Sequence, residues 1–202
     1  MVPHMDAVAT PDARTRLLHA ALCLVRRQGW AGSSVDALCA EAGVTKGSFF
    51  HHFPSKEALG LAAAAHWGET TATMFAAASF HHAGDPAARV LAYVDFRATL
   101  LAEDLAACTC FAGTLLQETW ASHPALREAC GAVICAHAAT LEADLAAARP
   151  PGADWAPDSV ARFTQTVLQG AFVMAKATGS AETIREQIAH LRRYLVGLME
   201  GK

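Results

Sequence analysis

Charged side chains are scarce in this sequence. Asp, Glu, Lys and Arg make up 17% of its 202 residues, whereas 53% of the residues are hydrophobic. A disordered chain has the opposite balance, so this composition excludes disorder and provides for a substantial core. β-Branched residues are also few, no strand-like alternation of polar and apolar residues occurs, and alanine dominates. Together these features predict helix throughout and an all-α fold.

Several patterns that mark particular classes of protein are missing as well. No charge-free apolar run reaches the roughly 18 residues of a membrane span, and residues 1–10 lack the basic-then-apolar order of a signal peptide. We therefore expect a cytoplasmic protein without a membrane segment, whose six cysteines stay reduced. No nucleophile elbow, phosphate loop or metalloprotease motif is present, so the sequence predicts neither an enzyme nor a cofactor. The spacings of the cysteines and of His137 match no zinc ribbon or finger, and no metal site is predicted.

The few charges are unevenly distributed along the chain. Residues 11–60 hold six Lys or Arg and four Asp or Glu, which gives this part a charge of +2. The formal net charge of the whole chain is −3, so the remainder carries −5. A mildly basic N-terminal part joined to an acidic remainder is compatible with a local nucleic-acid footprint.

Glycines and prolines divide the chain into segments of helical length. Residues 1–10 are predicted to be a flexible tail, and a first helix from Pro11 ends at Gly29, a residue type favoured just past a last helical turn. Ser33 with Asp36 predicts a capped short helix after it. Further helices are predicted at 55–80, at a segment with Tyr93, Phe96 and Leu100, at 108–122, at 124–148 and at two C-terminal segments.

The most informative segment begins at Gly43. This glycine allows a sharp turn between two short helices, and the hydroxyl of Thr45 can cap the second of them. Gly47 costs a helix about 1 kcal/mol relative to alanine, which indicates close approach to another surface. Phe49 and Phe53 lie four residues apart and therefore anchor the helix from its inner side. The segment predicts a helix-turn-helix unit that reads DNA.

This part of the chain resembles the TetR family of transcriptional regulators. The similarity runs from about Arg14 to Leu61 and rests on Gly29-Trp30, Ser33-Ser34-Val35, the run from Ala42 to Gly47, and the run from Phe53 to Glu57. The resemblance implies a recognition helix in the major groove of double-stranded DNA and a backbone contact from Lys56. The DNA-binding residues that it implies are Ser34, Thr45, Lys46, Gly47, Ser48, Phe50, His51 and Lys56. Phe50 departs from the family, which usually has a tyrosine there whose hydroxyl meets a phosphate; an apolar contact with a thymine methyl is expected instead.

The resemblance also implies a division into two domains. Residues 11–54 are expected to form the helix-turn-helix domain, called the head below, and residues 55–202 an effector-binding and dimerisation domain, called the body. Within the body, the segments 110–118 and 169–177 are similar to recurring stretches of one TetR subgroup whose effector domain contains cysteine.

The last two helices of the body carry long apolar stripes. We expect them to form a two-fold homodimer interface, because such a dimer matches a palindromic operator. The alternative is that both stripes close the core of one subunit. The stripes consist of Val160, Phe163, Val167, Ala171 and Met174, and of Ile184, Ile188, Leu191, Leu195 and Leu198.

A small-molecule effector is expected to bind among large side chains on the middle helices of the body. Each candidate is also a candidate core residue, and no charged cluster occurs among them, which favours a neutral or weakly polar ligand. The predicted function is a repressor that a small apolar ligand releases from its operator. The candidate lining residues are Trp67, Met74, Phe75, Phe96, Leu100, Cys110, Phe111, Trp120, Phe172 and Met174.

A second hypothesis is a thiol-based sensor of electrophiles or oxidants on the same DNA-binding scaffold. Cys108 and Cys110 lie near the start of a predicted helix, and Lys176 is expected opposite them. A helix N-terminus or a nearby cation lowers the pKa of a thiol and so makes it reactive. The alternative is that both cysteines are small buried apolar residues. A third hypothesis, an all-α enzyme without DNA binding, leaves the head unexplained.

Overall fold

A computed structural model of the protein describes residues 11–102 and 104–201. The predicted flexible tail at residues 1–10 lies outside the described residues. Within these two ranges the chain forms ten α-helices and one 3-10 helix but no strand, which confirms the predicted all-α class. The helices are α1 (Ala13–Gly32), α2 (Val35–Ala42), α3 (Lys46–His52), α4 (Lys56–Ala76), the 3-10 helix (Ser79–His82), α5 (Pro86–Thr99), α6 (Phe111–Thr119), α7 (Pro124–Ala139), α8 (Glu142–Ala148), α9 (Pro157–Thr178) and α10 (Glu182–Met199).

Local hydrogen bonds define the ends of the first helices. Gly29 has a φ of +81° and kinks α1, which continues only as far as Gly32. The cap of α2 is Ser34, whose hydroxyl accepts from the amide of Ala37 at 3.1 Å. The predicted cap, Ser33, is therefore wrong by one residue: Ser33 is buried and its hydroxyl donates to the carbonyl of Gly29 at 2.6 Å.

The turn between α2 and α3 has the predicted geometry. Gly43 adopts the left-handed conformation with a φ of +61°, which favours glycine because it has no Cβ. Thr45 caps α3 by accepting from the amide of Ser48 at 3.1 Å. Phe49 and Phe53 are both buried, so they hold α3 against the rest of the head as expected.

Three predicted helices differ from the observed ones. The helix predicted to reach residue 80 ends at Ala76, and the one predicted at 108–122 is limited to α6. The single helix predicted at 124–148 is broken at Thr140, whose hydroxyl donates to the carbonyl of His137 at 2.8 Å. The break turns Leu141 and Leu145 of the following segment into the core. Burial of these two side chains, which a helical pattern does not reveal, explains the difference.

Two clusters of buried side chains stabilise the fold. The first joins α1, α2 and α3 to α4, α6 and α7, so the head shares its core with helices of the body. The second lies among α5, α8, α9 and α10. Residues 124–148 are, among the described residues, the one stretch long and apolar enough by length and composition to cross a membrane. In the fold this stretch is divided into α7 and α8, whose Leu126, Cys130 and Leu145 belong to these clusters.

Candidate DNA-binding surface and ligand cavity

The exposed face of α3 carries most of the predicted DNA-binding residues. Thr45, Lys46, Gly47 and His51 are exposed, and Ser48 is half-buried. Phe50 is 53% exposed although it directly follows the fully buried Phe49. An exposed phenylalanine on a short helix has lost the hydrophobic stabilisation of burial, which is typical of a contact surface. The residues Thr45 to Ser48 with Phe50 and His51 thus form the outer surface of this segment, called the α3 face below, whereas Phe49 is buried beneath it.

Lys46 on this face already has a partner. Its ammonium lies 2.8 Å from a carboxylate oxygen of Asp36 on α2, and both side chains are exposed. The hydrogen bond with Asp36 raises the pKa of Lys46. Because exposed ion pairs are weak, a phosphate or a base edge can replace Asp36 at little cost.

The two remaining predicted residues lie beside the α3 face. Ser34 is exposed, but its hydroxyl is engaged in capping α2. Lys56, the first residue of α4, donates to the carbonyl of Trp30 and lies 4.1 Å from the centre of the Trp30 ring. Burial lowers the pKa of Lys56, and the nearby carboxylate of Glu118 opposes that shift. Lys56 therefore connects the end of α1 to the start of α4, a contact that the sequence did not suggest.

Glu118 of α6 connects the head to the body. Its two carboxylate oxygens accept from the amides of Trp30 and Ala31, each at 2.9 Å. A Cβ on Gly29 would lie 2.4 Å from the same carboxylate, so only glycine allows this approach. Lys176 of α9 is close by and donates to the hydroxyl of Thr114 at 3.3 Å. The kinked end of α1 is thus held by one side chain of the body.

A cavity of about 290 Å³ lies between the two buried clusters. Side chains of α4, α5, α7, α9 and α10 and of the segment that ends at Cys110, the cap of α6, line it, and its wall is mostly apolar. Six of the predicted lining residues do line it, namely Trp67, Met74, Phe75, Leu100, Cys110 and Phe172.

Four predicted lining residues lie elsewhere. Phe111 is fully buried in the first core, 6.3 Å from the ring of Trp67. Phe96 packs behind the wall against Phe75 and Phe80. Trp120 and Met174 are 62% and 52% exposed on the outside of the body. These corrections have one cause: apolar residues on a helix are visible in a sequence, but the side of the helix that meets a cavity is fixed by its neighbours.

The cavity contains a chain of polar side chains that the sequence did not predict. The amide nitrogen of Gln165 donates to the hydroxyl of Tyr93 at 2.9 Å. Nε2 of His137 lies 2.9 Å from that hydroxyl and 3.3 Å from Nη1 of Arg97. Because arginine can only donate, Nε2 is the acceptor of both bonds and His137 is neutral. Burial, assisted by Arg97, lowers the pKa of His137 to about 4.

Arg97 is the cation of the cavity wall. Its guanidinium lies 5.3 Å from the ring centre of Phe75 and 6.0 Å from those of Tyr93 and Phe172. The signal that could have identified it is its spacing, since Arg97 follows the inward-facing Tyr93 by four residues on α5. A cation on the buried stripe of a helix is uncommon and indicates a partner.

The structure separates the two candidate sensor cysteines. Cys108 is buried, and its thiol donates to the carbonyl of Ala102 at 3.2 Å. Cys110 is half-buried at the N-terminus of α6, where its sulfur accepts from the amide of Gly113 at 3.3 Å. It lines the cavity and also a polar recess beside Glu118 and Lys176. Burial lowers the pKa of Lys176. None of the six cysteines, all within the described ranges, forms a disulfide.

The two C-terminal stripes divide between the inside and the outside of the subunit. On α10, Ile184, Ile188, Leu191 and Leu195 are buried in the core of the subunit itself. These four side chains therefore close the core of one subunit, which is the alternative to a dimer interface that the sequence analysis left open. An outer apolar surface remains, called the C-terminal face below, and it consists of Phe163, Val173 and Met174 of α9 and Tyr194 of α10.

Two family models match the chain. The model described as bacterial regulatory proteins of the tetR family covers residues 17–63. A second model, described as the C-terminal domain of LmrA/YxaF-like transcriptional regulators, covers residues 86–190, which is more than half of the chain. The first match includes α2, α3 and the start of α4, and the second includes most of the cavity wall.

Individual proteins agree with these matches. The chain is 39% identical over 59 residues to the HTH-type transcriptional regulator UidR of Escherichia coli strain K12, which covers 29% of this chain and 30% of UidR. The chain thus matches about 30% of the length of that curated relative. Among solved structures, regulatory protein TetR from Rhodobacter sphaeroides has a TM-score of 0.78 and 26% identity over 90% of this chain and 97% of that one. The reduced form of NemR from E. coli has a TM-score of 0.72 and 25% identity over 90% and 96% of the two chains.

Proposed function

The chain belongs to the TetR family of bacterial regulatory proteins, and we propose that it binds a palindromic operator as a homodimer and leaves it when a small molecule enters the cavity. The proposal includes no catalytic activity, in keeping with a family of regulators. The observation that carries it is the α3 face, in which small, polar and cationic side chains are exposed on a helix held by the buried Phe49. Such a helix can enter the major groove without disturbing its own core.

The residues of the α3 face have different roles in this proposal. Lys46 and Ser48 read base edges, and Phe50 meets a thymine methyl. Gly47 permits close approach, since it places no side chain between the α3 backbone and the DNA. Among the described residues a Cβ there would meet only the hydroxyl of Thr45, at 3.7 Å, so packing within the protein does not require glycine. His51 and Lys56 contact phosphates, with Lys56 giving up its bond to the carbonyl of Trp30. We keep residues 11–54 as the DNA-binding domain and 55–202 as the effector-binding and dimerisation domain.

The dimer is proposed to form through the C-terminal face. Phe163 and Tyr194 stack with their ring centres 4.9 Å apart, yet both remain largely exposed in a single subunit. Val173 and Met174 extend this apolar surface along α9. A two-fold pairing of this face buries all four side chains and sets two α3 faces at a fixed spacing. The proposed interface therefore lies on the two helices predicted from the sequence, but it uses their outer sides and not the buried stripe of α10.

Release requires that the cavity and the head communicate. Cys110 at the start of α6 lines the cavity, and Glu118 near the end of the same helix holds the amides of Trp30 and Ala31. Trp67 and Met74 of α4 also line the cavity, while Lys56 at the other end of α4 adjoins the head. A ligand that shifts α6 or α4 thereby moves the two heads apart. It must bind the released state more tightly than the bound state, because otherwise no shift follows.

Salt-dependent DNA binding tests the proposal. Genomic fragments recovered with the tagged protein are measured by fluorescence anisotropy against shuffled sequences of the same length. Lys56→Ala should weaken binding to both kinds of DNA and reduce the log–log salt slope by about 0.9, whereas Lys46→Ala should reduce the preference for the recovered fragment. Arg149→Ala, which removes an exposed cation from the loop after α8, is the matched control and should leave the slope unchanged.

Two results would contradict this function. A salt slope near zero for the unmodified protein would exclude phosphate contacts. Equal affinity for recovered and shuffled DNA would exclude sequence reading by the α3 face. Because Lys56 also contacts Trp30, the melting temperature of the Lys56→Ala variant is measured in parallel. Lys56→Arg should retain most of the affinity for DNA.

Thiol sensing at Cys110 remains the second candidate. Its favouring observation is that the sulfur lies at the N-terminus of α6 and in the walls of both the cavity and the recess beside Lys176. The resemblance to the NemR structure described as reduced agrees with this candidate. Treatment with N-ethylmaleimide should release DNA from the unmodified protein and from Cys135→Ser, whose thiol is exposed on α7, but not from Cys110→Ser. Equal release from all three proteins would remove the candidate.

A further inference from the structure

We propose that the ligand of the cavity is an apolar molecule bearing a carboxylate, and that this carboxylate pairs with Arg97. The inference rests on the proposed function only in treating the cavity as the effector site. It differs from the neutral ligand that the sequence favours, because the sequence did not place Arg97 in the wall.

Arg97 differs from Arg89, the other arginine of α5, in its ion pairing. Among the described residues, no carboxylate forms an ion pair with Arg97. On the same helix Arg89 pairs with Asp144 at 2.6 Å, so an arginine of α5 can form an ion pair with another helix. Arg97 instead lies among the rings of Phe75, Tyr93 and Phe172. A half-buried cation in apolar surroundings is costly without an anion, and a bound carboxylate removes that cost.

The hydrogen bonds beside Arg97 all lead to one acceptor. Gln165 donates to Tyr93, and Tyr93 and Arg97 both donate to Nε2 of His137. Among the described residues, Arg97 thus shares its one acceptor with Tyr93, while a guanidinium has five donors. Its other N–H groups are not buried without a partner, so water reaches them and a ligand can take the place of that water. A carboxylate offers only acceptors and fits the planar fork of a guanidinium, whereas an amine or an amide also brings donors that the site cannot use.

The volume and the apolar wall of the cavity limit the remainder of the ligand. A cavity of about 290 Å³ is at the small end of ligand sites, so it suits one aromatic ring or a medium-length alkyl chain. Trp67, Met74, Leu100 and Phe172 provide the apolar wall. The ligand class is thus a small aromatic or aliphatic monocarboxylate, with its chain among these residues and its charge at Arg97.

Direct binding to the protein without DNA tests the inference. Isothermal titration at pH 7.5 compares octanoate with octanamide and 3-phenylpropanoate with 3-phenylpropanamide, and Trp67 fluorescence gives a second readout. At least one acid should bind about tenfold or more tightly than its amide. Arg97→Gln should lower the affinity for that acid by roughly 30-fold or more, which is the usual loss when one partner of a buried charge pair is removed. The affinity for the amide should change little.

Two further variants separate charge from folding. Arg97→Lys keeps the charge but loses the planar fork, so it should retain part of the preference for the acid. Arg192→Gln removes an exposed arginine that pairs with Asp95 outside the cavity and should bind the acid like the unmodified protein. Circular dichroism verifies that every variant is folded.

The outcomes distinguish this inference from the proposed function. Equal binding of acids and amides, binding of neither, or an undiminished preference for the acid in Arg97→Gln would each overturn the anion site. The operator measurement remains independent of all three results. Binding of an acid without release of DNA would retain the anion site and reject the cavity as the site of the releasing effector.

Discussion

The head and the body differ in how they surround the two cations, Lys46 and Arg97, to which we assign binding roles. In the head, Lys46 is exposed to solvent and paired with the equally exposed Asp36. In the body, Arg97 lies among aromatic rings, and its polar contact is to a neutral histidine. Water can replace either partner of the first pair at little cost, whereas three aromatic rings lie within 6.0 Å of the guanidinium at the second site.

This difference agrees with the two kinds of partner that we propose for the two sites. The α3 face is a finished surface on a packed core, so a long anionic polymer can dock on it without any rearrangement. The cavity is a space in the core that no described side chain fills. Its cation, Arg97, has no carboxylate partner among the described residues, unlike Arg89 on the same helix. Small ligands fit the second arrangement, because they supply the missing volume and the missing charge together.

The largest expected effect separates the inner from the outer side of α3. Phe49→Ala should lower the free energy of unfolding by about 3–5 kcal/mol, since it empties a fully buried ring site in the first core. Phe50→Ala, one residue further on, should change stability by less than about 0.5 kcal/mol, because that ring is exposed. Urea unfolding followed by circular dichroism measures both variants.

The distinction between the inner and outer sides of α3 is wrong if the two substitutions lower the free energy of unfolding equally. Phe50→Ala should nevertheless weaken operator binding, so the pair dissociates stability from recognition within two neighbouring residues. An operator affinity that is unchanged in Phe50→Ala would remove Phe50 from the DNA-contacting set.

The next effect belongs to the body and depends on pH. The surroundings of His137 lower its pKa to about 4, whereas an unfolded histidine titrates near 6.5. Above pH 6.5 the ring is neutral in both the folded and the unfolded state, so its titration takes nothing from the free energy of unfolding. As the pH falls from 6.5 towards 4, the unfolded chain takes up a proton that the folded protein does not, so stability should decrease by up to about 3 kcal/mol.

A substitution isolates this contribution. His137→Gln retains an acceptor for Tyr93 and Arg97 but cannot titrate, and it should flatten the loss of stability between pH 6.5 and 4. Urea unfolding at several pH values measures the difference between the variant and the unmodified protein. Parallel curves for the two proteins over this interval would show that the ring is not held neutral by the cavity.

The sequence predicted the head well because the relevant chemistry is local. The turn at Gly43, the cap at Thr45 and the inner position of Phe49 all depend on residues within a few positions of one another. The misplaced cap at Ser33 follows from the kink at Gly29, whose carbonyl accepts from the Ser33 hydroxyl. Just beyond that kink, the amides of Trp30 and Ala31 donate to Glu118, a distant residue of the body that a local pattern does not reveal.

The sequence predicted the cavity only in part because five helices and the segment before α6 contribute to it. An apolar stripe indicates which side of a helix is inside, but not whether that side meets a neighbour or a space. Phe111 and Trp67 illustrate this point, because their rings are in contact while only Trp67 borders the cavity. The spacing of Arg97 from Tyr93 was readable in the sequence, yet its partners His137 and Gln165 come from α7 and α9.

The smallest expected effect returns to the one position where the head departs from its family. Phe50→Tyr adds a hydroxyl at an exposed site, so it should not alter the packing of the buried Phe49. If the Phe50 ring meets a thymine methyl as proposed, the added hydroxyl loses its water without gaining an acceptor, and operator affinity should fall roughly five- to tenfold, about 1 kcal/mol. The salt slope should stay constant, since a neutral hydroxyl displaces no counterion. Anisotropy titrations at two salt concentrations measure both quantities, and a higher affinity would mean that this position reaches a phosphate of the DNA backbone instead of a thymine methyl.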